Sequence, residues 1–155
     1  MKRGNAPGTY ILIIELPNNH TIAVGSLGKV AFEKGYYLYV GSALAGLRAR
    51  LQRHLGTRKR THWHIDYLLP HGHVREIWYH VGPERHECTW ARALDNMSGI
   101  KPSSVSFGAS DCHCDTHLFY SRTPPSLRAF KVELKEKVEM QKLRVAPGHS
   151  TDLSL

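Results

Sequence analysis

The sequence predicts an α+β domain: a small antiparallel β-sheet flanked by α-helices, with an inserted β-hairpin. Three observations carry this. The first 43 residues hold apolar, β-branched runs joined by turns too short for crossover helices, which favours antiparallel pairing. From Ala43 the apolar spacing changes to three and four, the period of a helix. A further strand-like run and a second helix-like run follow within a chain of 155 residues, enough for one core without staples.

Taken in order, GTYILIIEL over 8–16 is a strand stopped by Pro17-Asn18-Asn19. Three short strands follow through Ala43, with turns at Ser26-Leu27-Gly28 and Lys34-Gly35. Leu44, Leu47, Leu51 and Leu55 form the apolar stripe of a helix that Gly56 ends. Arg50 and His54, four apart, share one face of it. THWHIDYLL is apolar and aromatic, and VREIWYHV from Val74 reads as a strand. A second helix is expected from about Pro83-Glu84 to Ser98-Gly99. Residues 99–116 read as an ordered loop and THLFY as a last short strand. After Pro124-Pro125 a charged helical run extends to about Leu143, and the end is read as disordered. Residues 1–122 are thus one domain and 123–155 a C-terminal helix and tail. The N-terminal apolar stretch runs into Glu15 and Pro17 without a small-residue cleavage site, so it reads as a strand and not a signal peptide.

The formal charge is +8, and eleven histidines add to it at mildly acidic pH. Arg48, Arg50, Arg53, Arg58, Lys59 and Arg60 cluster with His54 among them. Such a cluster favours a polyanion, since each neutralised phosphate releases counterions; solubility alone is the bland reading. No apolar run reaches the ~20 residues that cross a bilayer. The odd cysteine count, with Cys112 and Cys114 one residue apart, argues against a disulfide framework and for a reducing, cytoplasmic setting. VGSLGKV and GSALAGLR both fail the phosphate-loop pattern, which excludes a nucleotide-driven motor of that type.

The chemistry-bearing set is two tyrosine-bearing strand ends, GTY at 8–10 and YVG at 39–41, then the Arg50/His54 helix, then Glu87 on the next helix. Singly, each has a plainer reading: half-buried strand tyrosines, a solvated arginine, a glutamate opposing the helix dipole. Together and in this order they resemble the GIY-YIG nuclease superfamily. Gly-Thr-Tyr and Tyr-Val-Gly look like its two naming motifs, and Arg50-Leu51-Gln52-Arg53-His54 like its Arg-x-x-x-His helix. Glu87 stands where its metal-binding glutamate is expected. From Gly8 to Tyr120, the blocks GYYLYVGSA, HWHIDYLL, ECTWA and SDCHCDTHLFY resemble a prokaryotic branch in which the domain stands alone or is joined to a DNA-glycosylase-type repair enzyme. The span from Tyr10 to Tyr39 exceeds the superfamily's usual short hairpin, and the excess reads as an inserted hairpin around 18–34. Thr9 departs from the motif but should point to the opposite face.

The resemblance implies a metal-dependent DNA endonuclease, with RNA left open as substrate and a repair protein as partner. Tyr10, Tyr39, Arg50 and His54 would be catalytic, with Glu87 holding Mg²⁺ or Mn²⁺. Arg50 would grip the scissile phosphate. Either Tyr10 or His54 would take the proton from water, a tyrosine needing nearby cations to lower its pKa from ~10. Arg48, Arg53, Arg58, Lys59, Arg60 and His64 would contact nucleic acid. The alternative is a binding module on a nuclease fold that assists a repair partner without cutting. Cys112, Cys114 and His117 are dense enough for structural Zn²⁺. The Cys-x-Cys gap is tight, however, and Cys88 or another histidine would have to complete the site, so small buried thiols are the preferred reading. Trp63, Trp78 and Trp90 read as core, with Trp63 a lesser candidate for stacking on a base.

Overall fold

In a computed structural model, residues 6–56, 63–103, 116–135 and 137–146 are described. The first strand, β1 (Gly8–Leu16), is buried along nearly its whole length and forms the centre of the sheet. The inserted pair β2 (His20–Ala23) and β3 (Lys29–Phe32) follows, then β4 (Gly35–Ala43), β5 (His73–Val81), β6 (Ile100–Pro102), β7 (Leu118–Ser121) and β8 (Gln141–Arg144). The helices are α1 (Leu47–Leu55), α2 (Ile65–Leu68), α3 (Glu87–Asp95) and α4 (Leu127–Leu134). The main sheet runs β6-β7-β4-β1-β5-β8, with every neighbouring pair antiparallel. The fold is α+β, as its sequence predicts.

Alternation along β1 divides the core in two. Tyr10, Leu12, Ile14 and Leu16 face a layer containing Leu47 and Leu51 of α1 and Ile65 and Leu68 of α2. Ile11 and Ile13 face Trp90, Ala91 and Leu94 of α3 and Phe130 and Leu134 of α4. The hairpin β2-β3 forms its own two-stranded sheet. Its Ile22, Val24 and Phe32 join the first layer, where Phe32 packs edge-on against Tyr37. That contact lies at the Leu16 end of β1, since Ile14 pairs with Tyr37 while Tyr10 pairs with Gly41. The hairpin therefore fills the part of the sheet face that α1 does not reach.

Several boundaries differ from expectation. Leu44 is exposed, and α1 starts only at Leu47, whose N–H bonds to Ala6 O at 2.8 Å. Helix α3 begins at Glu87, four residues beyond Pro83, because His86 N–H bonds to Thr9 Oγ1 on β1 at 3.3 Å. Residues 100–102, expected in a loop, pair with β7. The charged run after Pro125 does not stay helical to Leu143. Ser126 caps α4 by accepting from Ala129 N–H, Lys135 closes it in the left-handed region, and 141–144 pair with β5 as the sheet's edge. Residues beyond 122 thus add a helix to one core and a strand to the main sheet. Of the end expected to be disordered, 146–155, residues 147–155 lie outside the described residues. Among the described residues no helix is long and apolar enough to cross a membrane.

Phe130 is fully buried between Trp78 and Trp90. Replacing it with alanine should cost about 3–5 kcal/mol, the range for deleting a buried aromatic. A urea unfolding series checks this, expecting a lower midpoint with the slope unchanged. An unaltered midpoint would show that α4 adds nothing to the core.

Candidate active site

The two motif glycines make the site possible by what they lack. A Cβ on Gly8 would lie 2.6 Å from His80 O and 2.8 Å from Leu47 Cδ2, so the missing side chain lets β5 and α1 close on β1. Gly41 lies across from Tyr10, and a Cβ there would lie 2.5 Å from the Tyr10 hydroxyl oxygen. The tyrosine ring therefore lies over the bare backbone of Gly41, pointing at α1.

One turn apart on α1, His54 and Arg50 both face this end of the sheet. Tyr10 Oη and His54 Nε2 are 2.7 Å apart, both residues buried. The Tyr39 ring stands edge-on to His54, with centroids 6.1 Å apart. Arg50 donates from Nη1 to Ser42 O at 3.0 Å, which anchors the guanidinium to the end of β4. Its Cζ lies 4.3 Å from the Trp63 ring centroid, and Arg53 Cζ lies at the same distance. Arg53 in turn makes two hydrogen bonds of 3.1 Å to the buried Asp66 carboxylate. Asp66 Oδ2 also accepts the Trp63 N–H at 2.9 Å. A chain of contacts thus runs from Asp66 through Arg53 and Trp63 to Arg50, so Trp63 is half-buried against two arginines and not a core residue like Trp78 and Trp90.

Glu87 opens α3, the layer on the opposite face, and the start of that helix is tied to the site by Thr9. The buried Thr9 hydroxyl accepts from His86 N–H and reaches Glu84 O at 3.5 Å. Thr9 does point away from Tyr10, yet it fixes the segment that presents Glu87. Glu87 Oε2 lies 4.0 Å from Nδ1 of buried His117. The backbone of His117 continues the β4–β7 ladder, since its carbonyl accepts from Val40 N–H at 3.0 Å. His117, read from sequence beside Cys112 and Cys114, therefore lies next to Glu87.

Burial dominates the titration of both tyrosines. Tyr10 is pushed up to about 12, by burial first, with Arg50 pulling the other way and Glu87 and Asp66 adding a smaller rise. Tyr39 is pushed up as well, by burial and then by Tyr10, again opposed by Arg50. Arg50 thus fails to make either tyrosine a base near neutral pH.

Of the sequence-predicted residues, Tyr10, Tyr39, Arg50, His54 and Glu87 come together at this end of the sheet. Arg53 is bound to Asp66, while Arg48 lies half-buried on α1 and His64 immediately precedes α2. Arg58, Lys59, Arg60, Cys112 and Cys114 lie outside the described residues. Cys88, expected to be a thiol, is disulfide-bonded, with its partner outside the described residues. An odd cysteine count forbids complete pairing but not a single bridge, so the reducing setting drawn from it no longer follows. A bridged Cys88 also supplies no thiolate to complete a zinc site. Gly8, Gly41, Thr9, Asp66 and His117 are the participants that sequence reasoning undervalued. The motif glycines offered a signal through their place beside the tyrosines, and Asp66 and His117 only through the HWHIDYLL and SDCHCDTHLFY blocks that hold them.

A family model described as a domain of unknown function, DUF123, matches residues 9–140. No curated protein and no solved structure matches the chain.

A folded-state tyrosine pKa above the unfolded value near 10 stabilises fully below pH 10. That stability is lost as pH rises through the folded value. Denaturant melts of wild type should therefore lose stability between pH 10 and 12, on the order of 2–3 kcal/mol from Tyr10 alone. Tyr10→Phe should flatten that decline. Parallel curves for the two proteins would contradict the burial account.

Proposed function

We propose, from the premise that the chain belongs to the DUF123 family, itself GIY-YIG-like, that it is a metal-dependent DNA endonuclease hydrolysing phosphodiester bonds. The observation that carries the reading is the meeting of a buried tyrosine–histidine hydrogen bond, a braced arginine and a glutamate at one end of the sheet. These supply a proton path, a phosphate clamp and a cation ligand, the parts that phosphodiester hydrolysis requires. The charge of +8 favours a polyanionic substrate, and in the finer reading the protein works alone or with a DNA-glycosylase-type repair enzyme.

Glu87 gives one partly exposed carboxylate, which fits the way Mg²⁺ or Mn²⁺ is held by few protein oxygens together with substrate phosphate. When bound, such an ion would neutralise charge on the phosphoryl group and the leaving oxygen. The chain's own residues do the rest. Tyr10, protonated near neutral pH, takes a proton from water at Oη while releasing its own to His54 Nε2 along the 2.7 Å hydrogen bond. Arg50, held by Ser42 O and flanked by Trp63, turns its remaining N–H groups to the scissile phosphate. Tyr39 keeps its proton and packs edge-on against His54. Arg48, with Arg58, Lys59 and Arg60 of the same basic stretch, would track the phosphate backbone.

Incubating supercoiled, branched and single-stranded DNA with Mg²⁺ or Mn²⁺ tests the reading. Wild type should nick or cut at least one substrate. Glu87→Gln should lose about 10²-fold or more while still binding, and His54→Ala should lose about 10²–10⁴-fold, the usual span for removing one charge stabiliser or one general base. If neither wild type nor Glu87→Gln cuts while both bind DNA equally, the domain is a binding module on a nuclease fold.

A further inference from the structure

The residues just before Glu87 in the chain form a second grouping. His80 near the end of β5, Glu84 in the following loop and His86 at the start of α3 each offer one donor atom, and these atoms lie within 4.8 Å of one another. Among the described residues this is the grouping of three or more His, Cys, Asp or Glu side chains close enough to share an ion. We propose that His80, Glu84 and His86 form a Zn²⁺ site that braces the start of α3.

Three details of geometry support it. His80 Nδ1 lies 2.7 Å from the backbone carbonyl of Glu139. A carbonyl only accepts, so Nδ1 carries the hydrogen and Nε2 is the ring nitrogen left to face a metal. A backbone carbonyl receiving the far ring N–H is the usual support for a metal-ligating histidine. Next, the space between the donors is kept open by Gly82. A Cβ there would lie 2.8 Å from Glu84 Oε2 and 3.0 Å from His80 Nε2, so both donor atoms converge on the side where this residue has no side chain. Finally, His86 is held in place from two sides. Its ring stacks on Trp90 at 5.9 Å and meets the His80 ring edge-on at 5.2 Å, while its N–H is fixed to Thr9.

Two imidazoles and one carboxylate suit Zn²⁺ and not Mg²⁺, which prefers oxygen donors. Zinc bonds of ~2.0–2.2 Å place tetrahedral donors roughly 3.3–3.5 Å apart. Glu84, which is exposed and on a loop, is the ligand best placed to take up such a movement. Water completes the fourth position. Bound this way, the ion would join β5, the loop and the first turn of α3. It would act one residue from Glu87 without using that side chain, so zinc affinity is separate from any cleavage.

Isothermal titration of the full chain with Zn²⁺ alone, after chelator treatment, tests the proposal beside thermal melts and Co²⁺ absorption spectra. The expected result is one bound Zn²⁺, a raised melting temperature, and a Co²⁺ spectrum lacking a thiolate charge-transfer band. Glu84→Gln, an exposed change that spares the fold, should weaken binding at least tenfold. His80→Ala should do the same, and Glu87→Gln should leave affinity unchanged. Wild-type affinity in Glu84→Gln and His80→Ala would overturn the proposal. So would loss of binding in Glu87→Gln alone, or a thiolate band placing the ion at cysteine.

Discussion

The hydrogen bond between Tyr10 and His54 is the constraint on which the rest of this end of the molecule depends. It joins the central strand to the helix that follows β4, and both partners are buried. An unpaired hydroxyl or imidazole nitrogen there would cost ~1–3 kcal/mol, so packing that permits the bond is favoured over packing that breaks it. Three features serve that geometry. Gly41 leaves room beneath the ring, Gly8 lets Leu47 approach, and the bond from Leu47 N–H to Ala6 O sets where α1 begins. A helix displaced by one residue would turn His54 by roughly 100° away from Tyr10.

Around that bond the charges oppose one another. Arg50 favours tyrosinate, whereas burial, Glu87 and Asp66 favour the neutral hydroxyl, and burial prevails. For the proposed reaction the consequence is a relay in place of a standing base: Tyr10 would take a proton only as it hands one on. Asp66 contributes indirectly as well. By holding Arg53 and the Trp63 backbone, it fixes the aromatic surface against which Arg50 rests. A lysine at position 53 could match the charge but not the paired N–H geometry that engages both carboxylate oxygens.

The parts legible in the sequence are those whose signal is local. The strand runs, the turns that bound the inserted hairpin, and the spacing of Arg50 and His54 are readable within about ten residues of chain. The parts missed are settled by distant contacts. Nothing near Pro83 reveals that α3 waits for Glu87, because the anchor is Thr9 on β1. Gln141-Lys142-Leu143-Arg144 carries one apolar residue among polar ones and reads equally as a helix face; only pairing with β5 makes it a strand. Ile100–Pro102 is too short and polar to declare itself without β7. For the site, motif order brought five residues together on paper. The approach of His117 to Glu87 required knowing that β7 lies beside β4.

The hairpin's position decides how a substrate could approach. It packs at the Leu16 end of the sheet, and six residues separate Leu16 from Tyr10, roughly 20 Å along the strand. It therefore leaves the Tyr10 end to α1, which covers the two tyrosines almost completely. Arg50 and Glu87 are the members of the set with accessible side chains, and they reach the site from opposite layers of the sheet. In the reaction proposed above, a phosphodiester would meet these two charges first, at the strand end between α1 and the start of α3. It would come to Tyr10 along the strand axis and not across the sheet face.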